Sequence, residues 1–110
     1  MSIDVREARE EDVDDLLPLV RDFVSSFTLD DIAFKNSFVR LIGTPGSIAL
    51  VAEQEEKLIG YCLGFCHDTF YANGRVAWLE EIMVPEPYRR KRVGEALRYD
   101  ASATYYRKLL

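Results

Sequence analysis

The chain has 110 residues, which is long enough for one domain with one hydrophobic core. Hydrophobic residues make up 48% and charged residues 30%, which is ordinary for a folded globular protein and excludes a disordered chain. A net charge of -5 argues against nucleic acid as a general partner. No apolar run is long enough to span a membrane, and the N-terminus lacks the pattern of a signal peptide. We therefore expect a cytoplasmic protein with no membrane partner.

The first half of the chain predicts a strand followed by two helices. Apolar and polar residues alternate up to about Ala8, which predicts a short strand. From Glu11, apolar residues recur at steps of three and four after an acidic start, as in an amphipathic helix. Pro18 lies inside this pattern and marks a potential kink. A second helix is predicted to begin near Leu29 and to end at Gly43.

The second half predicts three strands and a final helix. Residues 47–53 and 58–67 are apolar runs joined by a short polar stretch, which predicts a hairpin. Residues 68–74 are predicted to form a loop that ends in an Asn-Gly turn, and residues 76–84 a third strand. Residues 93–110 show a helical apolar stripe. The predicted order of elements is therefore β-α-α-β-β-β-α.

The two cysteines and the single histidine lie together on the second of these predicted apolar strands. Cys62 and Cys66 are separated by roughly 13 Å at the rise of a strand, which is too far for a disulfide bond. Together with His67 they would also make a poor metal site, because an extended strand carries the ligands apart. We expect free thiols, a structural histidine and no metal.

Residues 78–97 read W-L-E-E-I-M-V-P-E-P-Y-R-R-K-R-V-G-E-A-L, which is an apolar strand, a proline-bounded loop, a basic turn, a glycine and a helix. The first N–H groups of a helix have no partner within the helix, and together with the helix dipole they favour a phosphate. Four cations lie at that entrance, namely Arg89, Arg90, Lys91 and Arg92. The segment therefore predicts an anion site.

This segment resembles the acyl-CoA-binding motif of the GNAT superfamily of N-acetyltransferases: a strand, then Arg or Gln, two variable residues, Gly, one variable residue, and Gly or Ala. The hairpin V-A-E-Q-E-E-K-L-I-G-Y-C-L-G-F also resembles the family's second and third strands, so the resemblance covers nearly the whole chain. It implies an α+β (α/β) fold with a mixed, mainly antiparallel sheet and helices on both faces. Residues 1–110 would form a single domain with about the first two-thirds of the usual fold, without the family's C-terminal strands.

The resemblance implies transfer of an acetyl group from acetyl-CoA to a primary amine of a small molecule or peptide. In the family, the end of the strand pairs through its backbone with the pantetheine arm of coenzyme A, and the following loop and helix start hold the pyrophosphate. By position, the resemblance assigns the arm to Ile82, Met83 and Val84. It assigns the phosphate groups to Arg89, Arg90, Lys91, Arg92, Val93, Gly94 and Glu95.

One position departs from the family motif. Arg92 stands where the family usually has its first glycine, whereas Gly94 and the small Ala96 are kept. Glycine at that point lets the backbone approach a phosphate closely and adopt unusual dihedral angles. The side chain of Arg92 either crowds the turn or offers a phosphate a guanidinium group that can donate two parallel hydrogen bonds.

Acetyl transfer requires a neutral amine, so a carboxylate, or a water that it orders, must remove a proton. Glu80 and Glu81 lie near the end of the third apolar strand. Adjacent strand residues face opposite sides, so only one of them reaches the substrate cleft unless a bulge breaks the alternation. The similarity of L-E-E to the strand ending of polyamine-type members favours Glu80 as the base or substrate ligand. Either glutamate could instead be a hydrogen-bonded or solvated residue at a sheet edge.

In the family, a tyrosine that follows a fifth strand commonly protonates the thiolate leaving group, but this chain stops before that point. Tyr99, Tyr105 and Tyr106 lie on the last predicted helix, and we interpret them as residues that pack on its face. The strand of residues 76–84 would be left as an exposed, apolar edge, which predicts a homodimer. The missing part could instead lie downstream or in a second chain. A non-catalytic acyl-CoA-binding or interaction module is the alternative function.

Overall fold

A computed structural model of the protein describes residues 2–24, 28–71 and 74–109. The order of helices and strands is the one predicted from the sequence. Short 3-10 turns at Glu10–Asp12 and Glu86–Tyr88 are additional to that prediction. The elements are β1 (Asp4–Glu7), α1 (Val13–Phe23), α2 (Asp31–Ile42), β2 (Ser47–Gln54), β3 (Lys57–Thr69), β4 (Gly74–Met83) and α3 (Val93–Leu109).

The four strands form an antiparallel sheet in the order β1-β2-β3-β4. The predicted hairpin between β2 and β3 is confirmed, and it turns at Glu55 and Glu56. Both residues have positive φ, at 52° and 64°, which is the requirement of a tight two-residue turn that matches the twist of the strands. The sequence predicted this turn only from the polar residues between the two apolar runs, because glutamate is not a residue that usually favours positive φ.

The predicted loop at residues 68–74 is wrong at both of its ends. The ladder between β3 and β4 continues outward to the pairs Asp68 with Arg75 and Thr69 with Gly74, so these residues belong to strands. Cross-strand hydrogen bonding extends the hairpin past the apolar run from which the strand was predicted. Asn73 of the predicted turn lies outside the described residues. At its other end β4 stops at Met83, and Val84 follows the strand.

Helices cover both faces of the sheet, as expected. On one face α3 buries the apolar stripe that the sequence predicted, and Val93, Leu97 and Ala101 pack there against β2 and β3. On the other face α1 and α2 pack against a second cluster, which includes Val51 and Tyr61 of the sheet. α1 continues through Pro18 to Phe23, and none of the described helices is long and apolar enough to cross a bilayer.

The polar pair Asp30 and Asp31 stands at the start of α2, where Asp30 caps the helix. The Asp30 side chain accepts hydrogen bonds from the backbone N–H groups of Ile32 and Ala33, at 2.9 and 3.0 Å. Such a cap satisfies two of the donors that a helix start leaves without partners. The predicted beginning of the helix at residues 29–31 is therefore confirmed, with Asp30 as its cap.

Both cysteines are buried on β3 as free thiols, as the spacing predicted. Burial is the main cause that raises the pKa of the Cys62 thiol to about 11. Cys62 is consequently a protonated, unreactive packing residue at neutral pH.

A nearly buried ion pair joins β1 to the turn before α1. The guanidinium of Arg6 donates two hydrogen bonds of 2.8 Å to the carboxylate of Asp12, which is 5% exposed and also accepts from the backbone N–H of Arg9. Arg6 reaches Glu53 of β2 at 3.4 Å as well. The hydrogen bonds from Arg6 are the largest cause that holds the pKa of Asp12 below its usual range, so Asp12 stays charged.

We expect Asp12→Asn to lower the free energy of unfolding by about 2 to 3 kcal/mol at pH 7, because it removes a charged acceptor from Arg6. A lowered pKa in the folded state stabilises the protein above the ordinary carboxyl pKa of about 4, and this contribution is lost as pH falls through the folded value. The difference between wild type and variant should therefore shrink below about pH 4 in urea titrations. Asp14→Asn is the matched control, since Asp14 pairs with Lys35 on the surface and should cost under about 1 kcal/mol. Equal effects of the two substitutions would contradict the assignment.

Candidate active site

A β-bulge in β4 decides where the two candidate glutamates point. Leu63 of β3 pairs with Glu81 and the next residue, Gly64, pairs with Leu79, so Glu80 is an extra residue on β4. A bulge of this kind breaks the alternation of side chains between the two faces. Glu80 and Glu81 consequently line the same cavity, which regular alternation along the strand would not allow.

Gly64 explains why the bulge fits at this point. A Cβ atom at residue 64 would lie 2.9 Å from the backbone carbonyl oxygen of Trp78, closer than real Cβ contacts allow. The backbones of β3 and β4 therefore approach each other here in a way that requires glycine.

The cavity lies between the sheet and the helices α1 and α2, and has a volume of about 720 Å³. Glu80 is exposed, whereas Glu81 is half-buried and accepts a hydrogen bond of 2.9 Å from the hydroxyl group of Tyr61. Burial, followed by the charge of Glu81, raises the pKa of Tyr61 far above its ordinary value. Tyr61 is therefore a neutral hydrogen-bond donor that holds one oxygen of Glu81 in place.

Sequence reasoning missed Tyr61 as a site residue. The sequence places it in an apolar strand twenty positions before Glu81, and its role depends on the cross-strand register. The ring of Tyr61 also packs edge-on against Phe23 of α1, with the ring centres 6.3 Å apart. A tyrosine in an apolar strand was the available signal, because a buried hydroxyl group requires a partner.

The predicted coenzyme A residues lie at the end of β4 and in the loop that follows. β4 is an edge of the sheet formed by the described strands, so its outer backbone groups have no strand partner there. Met83 is buried against α1 and α2, whereas Ile82 packs against the core under α3. The carbonyl oxygen of Val84 accepts a hydrogen bond of 2.8 Å from Nε of Arg89, so Arg89 helps to close the loop.

The basic turn holds two arginines in the left-handed region of backbone space. Arg90 has φ of 64° and Arg92 has φ of 66°, whereas Lys91 between them does not share this conformation. Arg92 thus adopts the conformation for which the family motif uses glycine, at a cost of about 1 kcal/mol for a residue with a Cβ. All three of these basic residues are exposed.

The first residues of α3 complete this part of the site. Val93 is buried, Gly94 is half-buried and Glu95 is exposed. A Cβ atom at residue 94 would have its nearest neighbour, Cδ1 of Ile82, at 4.0 Å. Packing within the protein therefore does not require glycine at this position, and the space beside it is open.

The tyrosines of α3 only partly follow the packing prediction. Tyr105 is half-buried, and its hydroxyl group donates a hydrogen bond of 2.9 Å to the carbonyl oxygen of Arg75 in β4. Tyr99 and Tyr106 are 76% and 65% exposed, so the interpretation as packing residues is wrong for Tyr99 and holds for Tyr106 only through its neighbour on the helix. The ring of Tyr106 contacts that of Tyr105, with the ring centres 5.4 Å apart.

His67 is an exposed residue of β3 that pairs with Val76. Within the described ranges, no group of three histidine, cysteine, aspartate or glutamate side chains lies close enough to hold a metal ion.

Comparison with known proteins gives the class to which this fold and site belong. Residues 10–108 match the acetyltransferase (GNAT) family, so the chain belongs to this family. Acyl transfer is the general chemistry of the class. No curated protein sequence shows a match to the chain.

Solved structures share the fold at low sequence identity. Glucosamine-6-phosphate N-acetyltransferase from Arabidopsis thaliana superposes with a TM-score of 0.78 at 17% identity, over 94% of this chain and 74% of that one. A transcriptional regulator from Bacillus halodurans C-125 gives 0.86 at 17% identity, over 97% and 76%. Ribosomal-protein-alanine N-acetyltransferase from Brucella melitensis biovar Abortus 2308 gives 0.79 at 18% identity, over 97% and 74%.

We expect Arg92→Gly to raise the free energy of unfolding by about 0.5 to 1 kcal/mol, because glycine adopts positive φ without a clash of its side chain. Lys91→Gly is the matched control, since it removes the same charge from the same turn at a residue without positive φ. That control should lower stability through the added freedom of the unfolded chain. Chemical denaturation of both variants tests the assignment, and a loss of stability in Arg92→Gly as large as in Lys91→Gly would contradict it.

Proposed function

We propose that this protein is an N-acetyltransferase that moves an acetyl group from acetyl-CoA to a primary amine of a small molecule or peptide. One observation carries the proposal. The bulge in β4 turns Glu80 and Glu81 toward one cavity, immediately before the strand end and basic turn that lead into α3. Membership of an acyl-transfer family indicates the general chemistry. The two neighbouring carboxylates favour an amine as the acceptor, because they can accept its proton.

The proposed coenzyme A site comprises the strand end Ile82, Met83 and Val84 together with the turn and the first residues of α3. The outer edge of β4 offers backbone hydrogen-bonding groups to the amide groups of a pantetheine arm. The exposed side chains of Arg90, Lys91 and Arg92 attract phosphate groups, and Arg89 supports the turn through the carbonyl oxygen of Val84. The unpaired N–H groups of the helix start, from Val93 to Glu95, would face the pyrophosphate.

The open space at Gly94 supports this assignment independently of charge. Since packing within the protein leaves room for a Cβ at residue 94, we attribute the glycine to the close approach of a ligand. Acetyl-CoA supplies the acetyl group as a thioester.

In the proposed reaction the two glutamates have different tasks. Glu81, with one oxygen held by Tyr61, attracts and orients the ammonium form of the acceptor. Glu80 has no hydrogen-bond partner among the described residues and accepts the proton that the ammonium group loses, either directly or through a water. The neutral nitrogen then attacks the acetyl carbonyl carbon and the N–C bond forms. The C–S bond breaks, and the second proton that the nitrogen loses passes, directly or through water, to the departing thiolate, which leaves as the thiol. A backbone N–H group near Met83 would meet the developing charge on the carbonyl oxygen.

The cytoplasm is the proposed location, because acetyl-CoA is the donor and both buried cysteines are free thiols. We regard residues 1–110 as one functional domain.

Gly94→Ala separates cofactor binding from folding. We expect the free energy of unfolding to stay equal or to rise by up to about 1 kcal/mol, since alanine is the better helix former. The dissociation constant for acetyl-CoA, measured by titration calorimetry, should increase at least about tenfold because the methyl group occupies the open space. Ser102→Ala, farther along α3 on its exposed side, is the control and should leave the constant unchanged. An unchanged constant in Gly94→Ala would remove this residue from the site, and no binding by the wild type would refute the proposal.

Glu80→Gln and Glu81→Gln test the roles of the carboxylates. We expect Glu80→Gln to lower kcat by roughly 100-fold, the usual contribution of a positioned base, with little change in the KM for acetyl-CoA. Glu81→Gln should mainly raise the KM for the amine. Glu86→Gln, an exposed residue in the following 3-10 turn, is the control in the same thiol-release assay. Binding of acetyl-CoA by the wild type without turnover of any amine would favour the non-catalytic module instead.

The proposal includes a homodimer formed through the edge strand of residues 76–84, in which the second chain pairs around Trp78 and Leu79 and leaves the strand end to the pantetheine arm. Trp78 and Leu79 of this edge are 57% and 38% exposed, and an apolar edge favours pairing with another strand. We expect light scattering to report a dimer for the wild type and a monomer for Trp78→Lys. Tyr99→Lys is the control, because it removes an exposed aromatic residue from α3 rather than from the edge. A wild type that remains monomeric at 100 μM, roughly the upper range of such measurements, would exclude this interface.

A further inference from the structure

The walls of the cavity beside Glu80 and Glu81 are apolar. They consist of aliphatic and aromatic side chains from α1, α2 and the sheet, among them Phe23, Phe34 and Phe38. Phe34 and Phe38 also pack against each other, with their ring centres 5.9 Å apart. Such walls favour an apolar body in the ligand that they enclose.

Polar side chains in the cavity are few and unevenly distributed. Glu80, Glu81 and Tyr61 lie together at the sheet, whereas Ser37 on α2 lies across the cavity from the sheet. Among the described lining residues none is lysine, arginine or histidine. The described lining therefore attracts a cation at the glutamates and includes no cationic side chain for an anionic group.

The volume of about 720 Å³ is within the range of pockets that enclose whole small molecules. A second ammonium group along the body of the ligand would lie against mainly hydrocarbon walls, with no anionic partner among the described lining residues other than Glu80 and Glu81, which is unfavourable. Among the described lining residues a phosphate would meet the negative charge of the two glutamates and no cationic side chain. The walls thus select both for an apolar body and against additional charges.

We propose that the acceptor is a primary amine with a single positive charge and an apolar body, such as an alkylamine or an arylalkylamine. Its ammonium group lies at Glu80 and Glu81, and its body fills the space between α1, α2 and the sheet. This inference rests on the proposed acetyl transfer and deepens it, because it names the class of acceptor. Polyamines and amino-sugar phosphates are excluded as preferred acceptors.

The test measures thiol release from acetyl-CoA with straight-chain amines from propylamine to heptylamine. Each methylene group that enters an apolar cavity is expected to raise kcat/KM by about three- to fourfold, or on the order of a hundredfold across the series. 1,7-Diaminoheptane has the same length with a second charge and should be at least about tenfold poorer than heptylamine. Values that do not rise with length, or a preference for spermidine or glucosamine 6-phosphate, would overturn the inference while leaving acetyl transfer intact.

Two neighbouring residues of α2 give a matched pair of variants. Ser37 lines the cavity and Asn36 is exposed and does not. Ser37→Leu should lower kcat/KM for heptylamine at least about tenfold and leave propylamine within about threefold, because only the longer chain reaches the filled space. Asn36→Leu should change neither value. Equal effects of the two variants, or equal loss for both amines, would contradict the position of the acceptor body.

Direct binding keeps the two proposals distinguishable if no turnover is seen. Calorimetric titration of propylamine and heptylamine into the protein with coenzyme A, which carries no acetyl group, measures the dissociation constant of each amine without the reaction. Tighter binding of heptylamine by on the order of a hundredfold, in the absence of any acetyl transfer, would support the apolar amine site and refute the enzyme. Equal or undetectable binding of both amines would refute the amine site itself.

Discussion

The single extra residue in the ladder between β3 and β4 is the constraint on which the candidate site depends. Without it, Glu80 and Glu81 would face opposite sides of the sheet, as adjacent strand residues do. Gly64 makes room for the bulge, because a Cβ atom there would lie 2.9 Å from the carbonyl oxygen of Trp78. Tyr61, on the same face, then supplies a buried donor that holds Glu81. The bulge therefore places both carboxylates at one cavity, together with the hydroxyl group of Tyr61 that supports Glu81.

The sheet separates this cavity from the helix that carries the proposed phosphate site. Gly60 lets α3 approach closely, since a Cβ there would lie 3.1 Å from both the carbonyl oxygen of Met83 and Cγ1 of Val93. The start of α3 is consequently fixed beside the end of β4. A donor bound along that strand end would reach the glutamates from one side, and an acceptor in the cavity would reach them from the other.

The turn between β4 and α3 keeps its shape without the glycine of the family motif. Arg92 adopts positive φ although it has a Cβ, and burial of Val93 directly after it anchors the helix. The hydrogen bond from Arg89 to the carbonyl oxygen of Val84 closes the other side. Local strain at such a position persists where the surrounding structure holds it, and it is often found at binding sites.

Periodicity and turn chemistry in the sequence determined the order of elements, the stripe of Val93 and Leu97 on α3, and the cationic turn, because these depend on residues near one another in the chain. The resemblance of residues 78–97 to a family motif determined the class. Only the tertiary structure decided that Glu80 and Glu81 share a cavity and that Tyr61 supports one of them. Both facts depend on the register between β3 and β4, in which a shift of one residue exchanges the faces on which side chains lie. Such a register is set by packing between distant segments, and local sequence does not specify it.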